Sequence, residues 1–269
     1  MALFARTGTC PHSCFFSNVS VFSSFPSHET SRTPVSQTML DVAMESIVSS
    51  QIATMLCLLN LSKLTFLSSP TEKQRNMLGF TRSAGSGRLL LETFFDFHCP
   101  FSKKMFNNLV PFLREHGDIA KHVEHRIILH VQPWHSQATQ MTMVALAAQL
   151  IEADNDKLFR LMELIYEHQD EFSDQDCYEL TIHQLYDKLF AIAKDAGIDE
   201  AALRAQLAPG KREDVVAKLK QSVKYARQNS IHVSPTVMLN GIIDNNISSS
   251  FTTEQWTEFL NKAIKTAKL

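Results

Sequence analysis

The chain has almost no net charge: 26 lysines and arginines against 28 aspartates and glutamates leave −2 over 269 residues. A surface so balanced carries no electrostatic footprint for nucleic acid or for an anionic membrane. Long apolar runs are missing as well. The run from Ile52 to Leu61 spans about ten residues, half of the roughly twenty a bilayer-crossing helix needs. It reads as a signal-type core or a local helix, and no membrane span is expected. Cysteine is sparse: Cys10, Cys14, Cys57, Cys99 and Cys177 make five, an odd number at scattered positions. That excludes a disulfide framework, and no pair of CxxC knuckles is there to hold zinc. The 11 histidines include no HExxH and no facial-triad spacing, so no metal is expected.

The first third of the chain differs from the rest. Residues 1–85 are rich in Ser and Thr, hold no acid before Glu29 and show no sustained hydrophobic period. They are expected to form a low-complexity or disordered extension. A targeting segment is the competing reading, although Arg6 and Arg32 are thinly spread for a transit peptide. The compartment stays open between cytoplasm and mitochondrion, and the oligomeric state is equally open. Cys10 and Cys14 fall in this extension and are read as unstructured. Ser83-Ala-Gly-Ser-Gly87 forms a linker into one domain at 86–269.

Within that domain the hydrophobic pattern alternates between strand and helix. Leu89 to Phe97 is apolar on both faces, as a covered central strand should be. Pro100 to His116 places Met105, Leu109, Phe112 and Leu113 at helical spacing, with Pro111 expected to bend it. Val123 to Val131 is a second strand, and strand–helix–strand at this length makes a right-handed βαβ unit. A helical section follows over about 133–230, with helices predicted at Gln137–Glu152, Asp156–His168, Thr181–Ala196, Asp199–Gln206 and Lys211–Gln228. Gly197 and Asp199 read as a helix stop and an N-cap. Strands at Thr236–Leu239 and Ile242–Ile243 flank an Asn240-Gly241 turn, and a last helix runs from Thr253 to Ala267.

The chemistry concentrates at Glu92-Thr-Phe-Phe-Asp-Phe-His-Cys-Pro-Phe-Ser102. An apolar strand runs into Cys99, and Pro100 then opens a helix. Proline costs nothing at a first helical position, where its missing N–H would be unpaired anyway. The sulfur therefore sits at a helix N-terminus, where free N–H groups and the dipole favour a thiolate. Cys99 is expected to be substantially ionised at neutral pH, against the ordinary fate of a lone cysteine as a small buried hydrophobe. Ser102 stands where a redox CxxC motif would have its second sulfur. Its hydroxyl is expected to donate to the Cys99 thiolate, and it cannot resolve a mixed disulfide. His98 either stabilises the thiolate when protonated or merely lies beside it, and Phe101 is expected on the rim. Lys103 and Lys104 are cationic neighbours usually solvated at such positions. Trp134 and His135 are read as packing the helical section on the sheet. Cys177, among Asp174, Asp176 and Glu179, is read as structural, since that acidic setting disfavours its thiolate. A second passage, Val233-Ser-Pro-Thr-Val-Met-Leu-Asn-Gly241, puts Pro235 at the start of a strand, a tolerated place for proline and a plausible cis site.

Together the two passages resemble the thioredoxin superfamily, and within it the DsbA-like branch, whose active-site run is similar to Phe-Phe-Asp-Phe-His-Cys-Pro-Phe. The resemblance covers about 88–268 and implies an α/β thioredoxin fold, βαβ followed by ββα, with a helical insertion between the second strand and the cis-proline loop. It implies Cys99 and Ser102 at the catalytic position, with Pro100, Phe101, His98, Ser234 and Pro235 contacting substrate. The backbone at Ser234 would pair with an extended peptide or with glutathione. Ser102 departs from the two-sulfur pattern and points to monothiol exchange with protein thiols or disulfides, with glutathione as co-substrate and no bound cofactor. Two other readings stand beside it. One is a non-catalytic peptide-binding module; the other is a transferase similar to the kappa-class glutathione transferases, in which Ser102 activates the glutathione thiol. Iron–sulfur binding, as in monothiol glutaredoxins, is disfavoured by the long helical insert.

Overall fold

The computed structural model describes residues 78–82 and 89–267. The expected extension, with Cys10, Cys14 and Cys57, lies outside them apart from its last few residues.

A five-stranded mixed sheet forms the frame. The strands are β1 (Phe80–Arg82), β2 (Leu89–Phe95), β3 (Val123–Leu129), β4 (Thr236–Leu239) and β5 (Ile242–Ile243), in the order β1-β3-β2-β4-β5. β2 and β3 are parallel, with Phe94 opposite Ile128 and Phe95 opposite Leu129. Parallel neighbours need a crossover, and α1 (Pro100–Glu115) with the single turn α2 (Gly117–Ala120) supplies it. α1 carries Pro111 and continues to Glu115. β4 runs antiparallel to β2 on its other side, with Thr236 opposite Phe94. This register brings the end of β2, the end of β3 and the start of β4 to one end of the sheet, where Asp96–Cys99, His130–Gln132 and Ser234–Pro235 lie.

The helical insert contains α3 (Ala138–Ile151), α4 (Asn155–Glu167), a 3₁₀ turn (Gln169–Phe172), α5 (Asp174–Cys177), α6 (Ile182–Asp195), α7 (Glu200–Leu207) and α8 (Glu213–Gln228); α9 (Thr253–Thr266) closes the fold. The long helices match the spacing of their apolar residues to within two residues at each end. Their ends have local causes. Thr181 with Gln184 and Thr252 with Gln255 form capping boxes at α6 and α9. Gly197 takes a positive φ after α6, and the Asp199 carboxylate caps α7 by accepting from the N–H groups of Ala201 and Ala202.

Side chains alternate across β2 as a pleated strand requires. Leu91 and Phe95 face the larger core with Phe106 and Leu109 of α1, while Phe94 joins Ile128, Met238, Ala226 and Ile231 on the opposite face. Burying each such side chain contributes about 1.5–3 kcal/mol, which is why the sheet is covered on both faces. Like its neighbour Thr93, Glu92 is a polar exception. Its buried carboxylate accepts from Tyr225 Oη at 2.9 and 3.1 Å and faces Arg126 at 3.4 Å. Burial and this carboxylate push the Tyr225 phenol up to about 12.

Three short elements, α2, the 3₁₀ turn and α5, were not legible as period, because one turn is too short to show it. β1 is a fourth. Phe80–Arg82 lies before the expected domain start at 86 and pairs antiparallel with β3, with Phe80 opposite Ile127. Its sequence gives no strand signal over three residues, and the open edge of β3 recruits it. Among the described residues no helix is long and apolar enough to cross a membrane.

Candidate functional site

Cys99 is the N-cap of α1, with an extended backbone (φ −82°, ψ 119°) and Pro100 as the next residue. It is 4% exposed. Its thiol donates to the carbonyl oxygen of Ser234 at 3.3 Å. The Ser234–Pro235 peptide bond is cis. The two passages singled out in the sequence are thus in direct contact, sulfur against backbone oxygen.

Ser102 lies where expected in the chain but does something else. It is fully buried, and its hydroxyl oxygen accepts from the backbone N–H of Asp96 at 3.2 Å rather than engaging the Cys99 sulfur. The reason is local: the chain turns back over the first turn of α1, and the buried Asp96 N–H needs an acceptor. Pro100 and Phe101 face outward, Phe101 at 61% exposed. His98 is held by the helical insert and by His135. Its Nε2 donates to Phe172 O at 2.8 Å, so Nε2 carries the proton, and its ring meets that of His135 edge-on at 5.3 Å. Lys103 comes within 3.9 Å of the Asp170 carboxylate, and Lys104 donates to the Ser250 hydroxyl at 2.8 Å.

Trp134 and His135 depart from the packing role read for them. Trp134 is 63% exposed. His135 holds Asp96, the residue that organises the turn. Asp96 is fully buried, and its carboxylate accepts from His98 N at 2.8 Å, Gln132 N at 2.7 Å and His135 Nδ1 at 2.9 Å. Its carbonyl oxygen accepts from Cys99 N at 3.1 Å and Tyr166 Oη at 3.4 Å. A buried carboxylate needs such donors to stay folded into the interior. Burial, with Asp96 and Cys99 nearby, holds the Tyr166 phenol well above its ordinary value, so it serves as a neutral donor. Burial likewise pulls the His130 imidazole down; Asp96 opposes this, and Arg227 and His232 add to it. Asp174, on the surface, is held below the usual carboxylate range by hydrogen bonds from Ser136 and Gln137, with His98 and His135 adding to the effect.

Cys177 differs from Cys99. Burial pushes its thiol up, partly offset by Lys188 and reinforced by Asp176 and Asp174. Its sulfur donates to Glu171 O at 3.7 Å. Among the described residues no group of three or more His, Cys, Asp and Glu is arranged to hold a metal ion.

Asp96 had a sequence signal that went unread: an acid closing an otherwise apolar strand end. Tyr166 and Gln169 had none, because their partners lie 70 or more residues away.

No curated protein matches the chain. A solved protein from Pseudomonas syringae, provisionally assigned as a protein-disulfide isomerase, is 28% identical, with TM-score 0.56 over 68% of this chain and 97% of that one. BdbD from Bacillus subtilis, in its oxidised form, is 17% identical at TM-score 0.53, covering 73% and 96%. The thiol-disulfide exchange protein alpha-DsbA2 from Wolbachia pipientis is 14% identical at TM-score 0.52, covering 82% and 98%; for these last two the likeness is one of fold. The thioredoxin family model matches residues 88–262. With the strand–Cys-Pro–helix corner facing the Ser234–Pro235 loop, that match assigns the chain: it belongs to the thioredoxin family, as a DsbA-like thioredoxin-fold protein.

Proposed function

We propose that the protein is a single-cysteine thiol–disulfide exchange enzyme that acts on protein thiols and disulfides and is resolved by glutathione. One observation carries the reading. The Cys99 sulfur sits at the N-terminus of α1, 3.3 Å from Ser234 O, and the fourth position holds the buried Ser102 instead of a second sulfur. The Cys99 thiolate attacks one sulfur of a substrate disulfide. A Cys99–substrate disulfide forms, and the other substrate sulfur leaves as a thiolate. A glutathione thiolate then attacks that mixed disulfide, so glutathione–S–S–substrate departs and the electron pair returns to Cys99 as thiolate. Ser102 cannot take the second step, because a hydroxyl does not attack disulfides at neutral pH.

An extended polypeptide is the favoured substrate class. Phe101, Trp134 and Val233 are 61, 63 and 58% exposed. Phe101 follows Cys99 at the start of α1, Val233 lies beside Ser234, whose carbonyl meets the sulfur, and Trp134 lies in the loop that holds Asp96 of the same turn. Apolar side chains left in water around a thiol suit an unfolded chain. The transferase reading through Ser102 is weakened by that residue's burial and its bond from Asp96 N–H.

The test is turnover of a mixed disulfide between glutathione and a peptide. The wild type should release at most one equivalent of peptide thiol without glutathione and turn over only when glutathione is supplied, and Cys99→Ala should be inactive. Binding of unfolded polypeptide with no mixed disulfide at Cys99 would favour the non-catalytic module instead. Glutathione conjugation that survives Cys99→Ala would favour the transferase.

A further inference from the structure

The geometry assigns Gln169, in the helical insert, as the residue that positions the Cys99 turn. Its side chain is buried, and a single amide nitrogen, Nε2, donates to two backbone carbonyls, Phe97 O at 2.6 Å and Cys99 O at 3.1 Å. Those oxygens orient the amide, since the carbonyl end of Gln169 in the same place would face two acceptors.

The turn has few other means of support. β2 ends at Phe95 and α1 begins at Pro100, so 96–99 belongs to neither. Buried backbone groups must still pair. Asp96 serves the donors: its carboxylate takes His98 N and its carbonyl takes Cys99 N. Gln169 serves the acceptors. Three residues further on, Phe172 O accepts from His98 Nε2 at 2.8 Å. The 3₁₀ turn of the insert therefore grips residues 97, 98 and 99 in succession.

Cys99 O is also the first carbonyl of α1, accepting from Lys103 N at 3.1 Å. Holding it aligns the first turn of the helix at whose N-cap the sulfur sits. Gln169 touches no reacting atom and acts through Cys99. Its role gives the insert a part in the chemistry beyond covering the sheet.

The inference rests on Cys99 being the reactive thiol, and alkylation by iodoacetamide keeps the two separable because it needs no exchange chemistry. Gln169→Leu keeps the volume and removes both donors. Its Cys99 alkylation rate at pH 7 should fall about tenfold, the scale of one or two lost buried hydrogen bonds, with the pH–rate profile displaced to higher pH and Cys177 unaffected. Gln169→Glu places a carboxylate against two carbonyls, which favours its protonated form, and that form can donate to one of them. The ratio of its rate to wild type should rise as pH falls from 8 to 5, whereas the Gln169→Leu ratio does not rise. A folded Gln169→Leu with the wild-type rate and profile overturns the assignment. Should that variant fail to fold, a Gln169→Glu ratio independent of pH overturns it equally. Profiles that move as expected in a protein unable to exchange disulfides would uphold Gln169 and sink the proposed function alone.

Discussion

The sulfur of Cys99 and the carbonyl oxygen of Ser234 lie 3.3 Å apart across 135 residues of chain. The contact ties the N-terminus of α1 to the loop that begins β4, and it exists because both segments lie at the same end of the sheet. Under the proposed function, the Ser234 backbone is where an extended substrate would pair.

The two described cysteines should differ in reactivity. Burial and nearby acids push the Cys177 thiol up, whereas Cys99 sits at a helix N-terminus. Treatment with oxidised glutathione at neutral pH should label Cys99 and spare Cys177. Peptide-level mass spectrometry should show an adduct at Cys99 and none at Cys177, with the Cys99 adduct kept in Cys177→Ala. Equal labelling of both sites would remove the activated-thiol reading.

Installing the missing sulfur should change who resolves the intermediate. Ser102 is one helical turn from Cys99, and its oxygen is turned to Asp96 N. A cysteine there can turn toward Cys99 at the cost of one buried hydrogen bond, about 1 kcal/mol. Ser102→Cys is thus expected to release bound peptide without added thiol, leaving an intramolecular disulfide between Cys99 and the introduced sulfur. Peptide release by the wild type at the same rate, with no thiol present, counts against monothiol exchange.

Asp96 should matter to stability out of proportion to its size. Asp96→Ala leaves His98 N, Gln132 N and His135 Nδ1 without their acceptor. Breaking a buried charged network of this kind costs about 3–5 kcal/mol. Guanidinium unfolding should show that loss, with a smaller one for Asp96→Asn, whose amide oxygen still accepts. A change below about 1 kcal/mol for the alanine variant would mean the carboxylate is not a keystone of the turn.

Acid should destabilise the fold through His125. Burial, with Arg82 nearby, pulls its imidazole from 6.5 down to about 3, and Nε2 pairs with Thr93 Oγ1 at 3.0 Å. Between those values the unfolded chain binds a proton that the folded chain refuses. Stability is therefore full above pH 6.5 and falls as pH drops toward 3, by up to roughly 3–5 kcal/mol. His125→Gln should flatten that part of the stability–pH curve, read by thermal or guanidinium unfolding at several pH values. A curve unchanged by the substitution would place the acid sensitivity elsewhere.

Much of this protein was legible in one dimension. The helical spacing of Leu109, Phe112 and Leu113, the doubly apolar β2 and the cap at Asp199 are local features, and local features leave a period or a residue type behind. Cys99 before Pro100 is equally local, so the helix N-terminal thiol could be read directly. What surrounds that thiol could not. Asp96 meets His135 across 39 residues, and Gln169 meets Phe97 across 72. Such bonds form because a buried backbone or carboxylate must find a partner in whatever segment the fold brings near it. The same holds for Ser102, whose oxygen was expected at the sulfur and went to Asp96 N–H. Sequence alone determined β2 to β5, the long helices and the thiol at the N-terminus of α1; the packing of the insert against one end of the sheet decided which side chains hold that thiol, because their pairing depends on distances in space that no spacing along the chain encodes.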